Sequence, residues 1–367
     1  MENIYCANPF EQFRSKEKKI IQSIKSVLKS NKYILGPQVE KFENKFSKFI
    51  GSKYAIGVSN GTDALKISLK AIGIKKGDEV ITPSHTAIAT ISAIVDSGAK
   101  PIFVDINKDY YVIDGDKIQK AITKRTKAII VVHIYGHPVN INKIKSLVKK
   151  KNIYIIEDVS QAHGAKIRSK RLGSIGDIGC FSCYPTKNLG GIGDAGVITT
   201  NKKYFYNKIR LLREYGWKTR NNSLVHGENS RLDEIQASIL NVKLDSLDND
   251  NLKRNKIAQM YNKFLVNKNI KKFPKIKKNC NHVFHLYVLR VKNRDKIINA
   301  LKKYNIFASV HYPIPAHKQK PYKKFLKSNS NLLNTENISK EILSLPIYPE
   351  LKIKQVKYII KVFNKIN

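Results

Sequence analysis

The chain has 367 residues, 42% of them apolar, which is enough to bury a large core in one or two domains. It has no run of 18 apolar residues, and its start, Met1 to Cys6, is not a basic-then-apolar leader; no membrane span and a cytoplasmic location are expected. The net charge is +40, but 57 of the 68 basic residues are Lys, 11 are Arg, and no basic run exceeds three, so the excess reads as solvated surface and not as a nucleic-acid face, although a basic field helps capture an anionic substrate.

Taken along the chain, Phe13, Ile20, Ile21, Ile24, Val27 and Leu28 recur at helical spacing and predict an amphipathic helix over 12–30. Tyr33 to Pro37 is read as a loop in which Gly36 is a candidate substrate contact, and Val39, Phe42, Phe46 and Phe49 mark a second helix. Regular alternation follows: strands over 54–58, 79–82, 100–105, 128–134 and 153–156, with helices over 64–72, 86–97, 114–123 and 141–151 between them. The run Ala128 to Ile134 is apolar throughout, as expected of a strand buried on both faces. Later strands are predicted over 179–182 and 196–200, helices over 202–215 and 232–267, then strand 283–291, helix 294–303, strand 307–311 and a closing helix 353–363. The implied fold is α/β. A mainly parallel sheet flanked by helices occupies residues 1–248, and a smaller α+β domain residues 249–367.

Between Arg171 and Lys202 the only basic residue is Lys187, set among small, apolar and glycine residues. A lysine in such a pocket loses hydration, its cation is disfavoured and its pKa falls, which makes a nucleophilic amine suited to a Schiff base with a carbonyl compound such as pyridoxal phosphate. Most of the other 56 lysines are surface residues; the local exclusion of cations sets this one apart. Ligands of open α/β sheets bind beyond the carboxyl ends of the strands, and three segments put polar groups there. Gly61-Thr62-Asp63 opens a helix after a strand, where free N–H groups and the helix dipole favour a phosphate; taken by itself, the segment reads sooner as an ordinary cap by Asn60 or Thr62. Asp158 ends a buried strand, where it either pairs with a cofactor cation, keeping a pyridine nitrogen protonated, or caps the following helix; Gln161 is in reach of the same ring. Ser182 can reach the phosphate.

Other patterns are set aside. Gly191 to Gly196 fits Gly-x-Gly-x-x-Gly, but a strand follows it where the dinucleotide fingerprint needs a helix. Cys180 and Cys183 have no second pair and read as free buried cysteines, His133 and His137 do not share a helical face, and His163 reads as packing near the site, so no metal is expected.

Jointly, Ser59-Asn-Gly-Thr-Asp-Ala-Leu65, Gly77-Asp-Glu-Val-Ile-Thr-Pro83, Glu157-Asp-Val-Ser-Gln161, Phe181-Ser-Cys-Tyr-Pro-Thr-Lys187, Gly193-Asp-Ala-Gly196 and Asn229-Ser-Arg-Leu-Asp-Glu-Ile-Gln236 resemble the DegT/StrS family of sugar-nucleotide aminotransferases, over nearly the whole chain from Tyr33. The resemblance implies the fold type I of pyridoxal-phosphate enzymes, with Lys187 as the Schiff-base lysine and proton carrier, Asp158 on the pyridinium, Gln161 on the phenolic oxygen, and Gly61, Thr62, Asp63 and Ser182 around the phosphate. It implies that His85 stacks on one ring face and that Asn229 reaches the cofactor of a neighbouring subunit, so that a homodimer shares its active sites. His311-Tyr-Pro-Ile-Pro-Ala-His317 is similar to members that aminate C3 of a dTDP-linked 3-keto-6-deoxyhexose, with L-glutamate as donor, and Tyr184, His311 and Tyr312 would touch the sugar; amination at C4 of a dTDP- or UDP-4-keto sugar is the alternative. A regulatory or nucleic-acid-binding member that keeps the scaffold, and another pyridoxal-phosphate activity such as amino-acid aminotransfer, are the competing classes. No membrane or nucleic-acid partner is expected.

Overall fold

The apolar run around Ile129 lies in the middle of a seven-stranded sheet. The structure, a computed structural model, describes residues 2–327 and 330–366; positions 1, 328, 329 and 367, which fall within the two expected domain spans, lie outside the described residues. The sheet strands are β1 (Tyr54–Val58), β2 (Glu79–Pro83), β3 (Lys100–Val104), β4 (Thr126–Val132), β5 (Tyr154–Asp158), β6 (Ile178–Ser182) and β7 (Gly196–Thr200). Their spatial order is β1-β7-β6-β5-β4-β2-β3. From β3 through β6 neighbours are parallel, and β7 runs antiparallel to both β6 and β1. Side chains of Ile129, Ile130 and Val131 are fully buried, which is the condition for a parallel strand covered on both faces. The fold is thus the α/β class expected, a mainly parallel mixed sheet flanked by helices.

Helix α1 (Pro37–Ile50) seals one end of this core: Val39, Phe42 and Phe46 are buried, and Phe46 meets Phe181 of β6 edge-on at 4.9 Å. A second apolar cluster gathers Tyr261, Tyr287, Leu289, Leu343 and Phe363, and also Ile4. Its sheet has the antiparallel order Ile270–Lys272, Tyr287–Val291, Ile342–Leu345. Ile4 reaches it because Ile4–Tyr5 pairs in parallel with Ile306–Phe307.

Several expectations need correction, each for a local reason. The helix predicted over 12–30 is two, Pro9–Arg14 and Glu17–Lys29; at the break the Ser15 hydroxyl donates to the Gln12 carbonyl. The helix predicted over 232–267 is also two, Glu234–Leu244 and Leu247–Phe264, and Ser246 interrupts it with a hydroxyl that bonds the Lys243 carbonyl and the Asp250 carboxylate. Serine competes with the helix for backbone partners in this way. The strand predicted over 307–311 shrinks to Ile306–Phe307, and the strand Ile342–Leu345 was not foreseen, being four residues between a helix and Pro346.

Asp105, just past β3, fastens the helix Leu333–Glu341 to the end of the large sheet. Its carboxylate is 1% exposed. One oxygen accepts from the Thr335 N–H and hydroxyl, both at 2.8 Å, and the other from the Asn334 N–H at 3.1 Å and Lys117 Nζ at 3.0 Å. Burial pushes its pKa up, but these donors outweigh burial and hold it below the ordinary aspartate value. A depressed folded-state pKa contributes stability that is present above the unfolded value and lost as pH falls through the folded one. Asp105→Asn is therefore expected to destabilise the protein by about 2 kcal/mol at neutral pH, from buried donors left unpaired. The gap to wild type should close below about pH 4. Urea denaturation across pH measures both.

Candidate active site

Pairing of β4, β5 and β6 sets Val132 beside Asp158 and Asp158 beside Cys180, so the carboxyl ends of these parallel strands open on one edge of the sheet. A cavity of about 640 Å³ lies there. Gly61, Thr62, Asp63, Asp158, Gln161 and Ser182 line it, together with Tyr184, Lys187, His311 and Tyr312. Residues far apart in sequence thus meet where the strand ends predicted a ligand.

The first wall is the start of helix α2 (Gly61–Ala71). The Asn60 side chain caps it by accepting from the Asp63 N–H at 2.8 Å, which leaves the N–H groups of Gly61 and Thr62 without an intrahelical partner at the cavity. A Cβ on Gly61 would stand 2.5 Å from the Ser182 Cβ, so only glycine lets this helix start press against the end of β6. The Asp63 carboxylate is occupied by the Ser59 and Ser230 hydroxyls at 2.6 and 2.8 Å.

Lys187 follows β6 in a tight loop, with its N–H on the Tyr184 carbonyl at 2.9 Å and the Gly191 N–H on the Cys183 carbonyl at 2.8 Å. Asn188 anchors the loop by donating to Asn251 at 2.7 Å and to the Val283 carbonyl at 3.1 Å. Burial disfavours the cation and lowers the Lys187 pKa from 10.5 to about 8, while the Asp158 charge and, less, Cys183 pull the other way. The amine makes no hydrogen bond or ion pair with any described residue. Across the cavity, Asp158 accepts from the Thr90 hydroxyl at 2.9 Å and the Ser160 N–H at 3.2 Å. The Gln161 amide is oriented by the Tyr135 N–H, which donates to its Oε1 at 2.7 Å, so that its NH₂ points at Tyr312, 3.1 Å away.

His311 bonds Ser344 at 2.9 Å through Nδ1; burial, then the Lys187 charge, lowers its pKa to about 4. Burial raises Tyr312 to about 12, so both side chains are neutral at physiological pH. Cys180 and Cys183 are free and buried, and burial pushes the Cys183 thiol up to about 12. The turn Gly191–Gly196 docks on Gln236, which accepts from the Ile192 N–H at 2.9 Å, and β7 follows it. His163 packs against Phe181 with ring centres 5.5 Å apart.

Three expected residues lie outside the cavity wall. His85 is turned into the core, 1% exposed, with Nε2 2.6 Å from the Tyr135 hydroxyl. From its segment it is Thr86, Ala87, Ala89 and Thr90 that line the cavity, which corrects the expectation of a stacking ring at position 85. Gly36 caps α1 instead: a Cβ there would meet the Glu234 carboxylate at 3.1 Å, and that carboxylate accepts from the N–H groups of Gln38 and Val39. Asn229 is exposed and bridges Glu214. Conversely, His285 and Asp194 line the cavity unforeseen. His285 arrives from before the strand Tyr287–Val291 and bonds Asn188 Oδ1 at 3.2 Å, a contact that no local pattern announces. Among the described lining residues Lys187 is the one cation. Among the described residues no helix is long and apolar enough to cross a membrane.

The sequence profile of the DegT/DnrJ/EryC1/StrS aminotransferase family matches residues 14–364. The dTDP-3-amino-3,6-dideoxy-alpha-D-galactopyranose transaminase of Aneurinibacillus thermoaerophilus is 45% identical over 349 residues, 95% of each chain. The crystal structure of DesV from S. venezuelae superposes with a TM-score of 0.96 at 35% identity, over 100% of this chain and 98% of that one. NtdA from Bacillus subtilis, with bound cofactor PMP, superposes with a TM-score of 0.90 at 32% identity, over 96% of this chain and 82% of that one.

A lysine whose folded-state pKa lies below its unfolded value costs stability while both states are protonated, and the cost fades as pH rises between the two values. In ligand-free protein Lys187→Met is therefore expected to be the more stable form at pH 7, by roughly 3 kcal/mol. The advantage should shrink as pH climbs from about 8 towards 10.5. Equal stability at every pH would put the amine in water.

Proposed function

The chain belongs to the DegT/DnrJ/EryC1/StrS aminotransferase family and is an aminotransferase; we propose that it moves an amino group from L-glutamate to C3 of a dTDP-linked 3-keto-6-deoxyhexose, with pyridoxal phosphate as cofactor. The observation that carries this reading is an unpartnered, desolvated Lys187 amine in the same cavity as Asp158. The aminated C3 in the name of the 45% identical relative supports the position of transfer, and the PMP bound to NtdA supports the cofactor.

The residues present fit pyridoxal phosphate. Two free N–H groups at the start of α2, the Thr62 and Ser182 hydroxyls and the glycine-only approach at Gly61 suit a phosphate. Asp158, held by Thr90 and Ser160, suits a ring N–H, and the fixed Gln161 NH₂ suits a phenolic oxygen. When bound, the cofactor supplies a carbonyl that takes up the amine and a ring that withdraws electrons from the reacting carbon.

The chain's own residues do the rest. Lys187, with a pKa of about 8, is partly neutral near neutral pH, so its Nζ serves both as nucleophile and as a carrier of the proton at the reacting carbon. Asp158 keeps a proton on the ring nitrogen opposite. Tyr184, His311 and Tyr312 bind the sugar, and the neutrality of His311 and Tyr312 spares a charge in the emptied cavity. One lining cation is too few for a phosphate together with a nucleotide diphosphate, which supports a homodimer in which a second copy closes the cavity and the exposed Asn229 serves the neighbouring site.

Purified protein supplied with pyridoxal phosphate and glutamate is expected to aminate a dTDP-3-keto-6-deoxyhexose and to leave dTDP- and UDP-4-keto sugars nearly untouched. Lys187→Ala should lower the rate by at least ~10⁴-fold, as removal of a covalent catalyst does. Faster turnover of a 4-keto sugar would move the site of transfer to C4.

A further inference from the structure

Tyr135 is bonded both to Gln161, a proposed cofactor contact, and to the proposed sugar-binding segment at His311. It follows β4 with φ of 60°, a left-handed conformation that turns its backbone N–H to Gln161 and its side chain the other way. The ring is buried, 3% exposed. Its hydroxyl donates to the His311 carbonyl and lies 2.6 Å from His85 Nε2. A carbonyl only accepts, so the single phenolic hydrogen goes to His311, and His85 must supply the other hydrogen as its Nε2–H tautomer. His85 Nδ1 is then left without a partner inside the core, a cost accepted for this one contact. Burial keeps the pair in these states: it lowers the His85 pKa to about 4 and raises that of Tyr135 well above the ordinary phenol.

We propose that Tyr135 is a positioning residue for the sugar-nucleotide half of the reaction: its hydroxyl, oriented by His85, fixes the His311–Tyr312 segment against the cavity while its backbone N–H fixes Gln161. The inference rests on the aminotransferase reading above. It also gives His85 a function that its place behind the cavity wall would otherwise lack. Lys187 and Asp158 are held by other groups, Asn188 loop contacts for the first and Thr90 and Ser160 for the second, so loss of the Tyr135 hydroxyl should not disturb them.

The test separates the two half-reactions in Tyr135→Phe, His85→Leu and the double variant, each loaded with pyridoxal phosphate. In Tyr135→Phe, KM for the keto sugar nucleotide is expected to rise ~10-fold, the scale of one lost buried hydrogen bond, with the glutamate half-reaction within about twofold of wild type and the cofactor absorbance unchanged. His85→Leu should raise the same KM by about threefold, and the double variant should be no worse than Tyr135→Phe alone, because the two act through one oxygen. An unchanged sugar KM in Tyr135→Phe, an equal loss in both half-reactions, or additive effects in the double variant each overturn the proposal while leaving the aminotransferase reading intact. Wild-type protein that fails to aminate any keto sugar nucleotide sinks that reading, and this inference with it.

Discussion

Holding one amine out of water is the constraint around which the site is built. A lysine on the cavity wall with no hydrogen-bond partner is unfavourable, and its pKa of about 8 expresses how far burial has shifted it towards the neutral form. The fold sustains this because the loop that carries Lys187 is fixed elsewhere, by the Asn188 amide and by backbone bonds from Lys187 and Gly191. Strain and desolvation at a working site are tolerated when the surroundings over-determine its geometry.

The surroundings divide the labour between the two apolar clusters. The parallel strands bring Asp158 and Ser182 to one edge, and the start of α2 closes on them across a gap only a glycine can span. The smaller sheet supplies the opposite wall through Ser344, which holds His311, and Asp105 pins the helix Leu333–Glu341 that leads into that strand. Cavity shape therefore depends on contacts between residues more than 200 positions apart, such as Asp105 with Thr335. Such contacts make the site stiff, as catalysis by positioning requires.

What the sequence disclosed about the site follows the same division. Asp158 and Gly61 were legible because one ends a strand and the other opens a helix, where short-range rules on capping, glycine and strand direction apply; Gln161 followed from its place three residues past Asp158, and Lys187 from the absence of any other basic residue between Arg171 and Lys202. His85 was misread: past the end of β2 no periodicity says which side chain faces the cavity, and tertiary burial against Tyr135 chose Thr86 and Ala87 instead. His285 could not be found, since packing alone brings it to the wall, whereas Asp194 lies in the Gly193-Asp-Ala-Gly196 motif, to which no side-chain role was given. Helix breaks at Ser15 and Ser246 were hidden because apolar spacing continued across them while the serine hydroxyls took backbone or helix partners. The alternation of strands and helices, by contrast, survived nearly intact, because a strand buried on both faces writes its state into composition.

The most direct measurement is borohydride reduction of protein saturated with pyridoxal phosphate, followed by peptide mass mapping. Of the 57 lysines, Lys187 alone should carry a stoichiometric pyridoxyl group, and the label should disappear from the map when that residue is replaced. A label spread over surface lysines with Lys187 unmodified would mean that its amine is not the one that captures the cofactor, and would contradict the account.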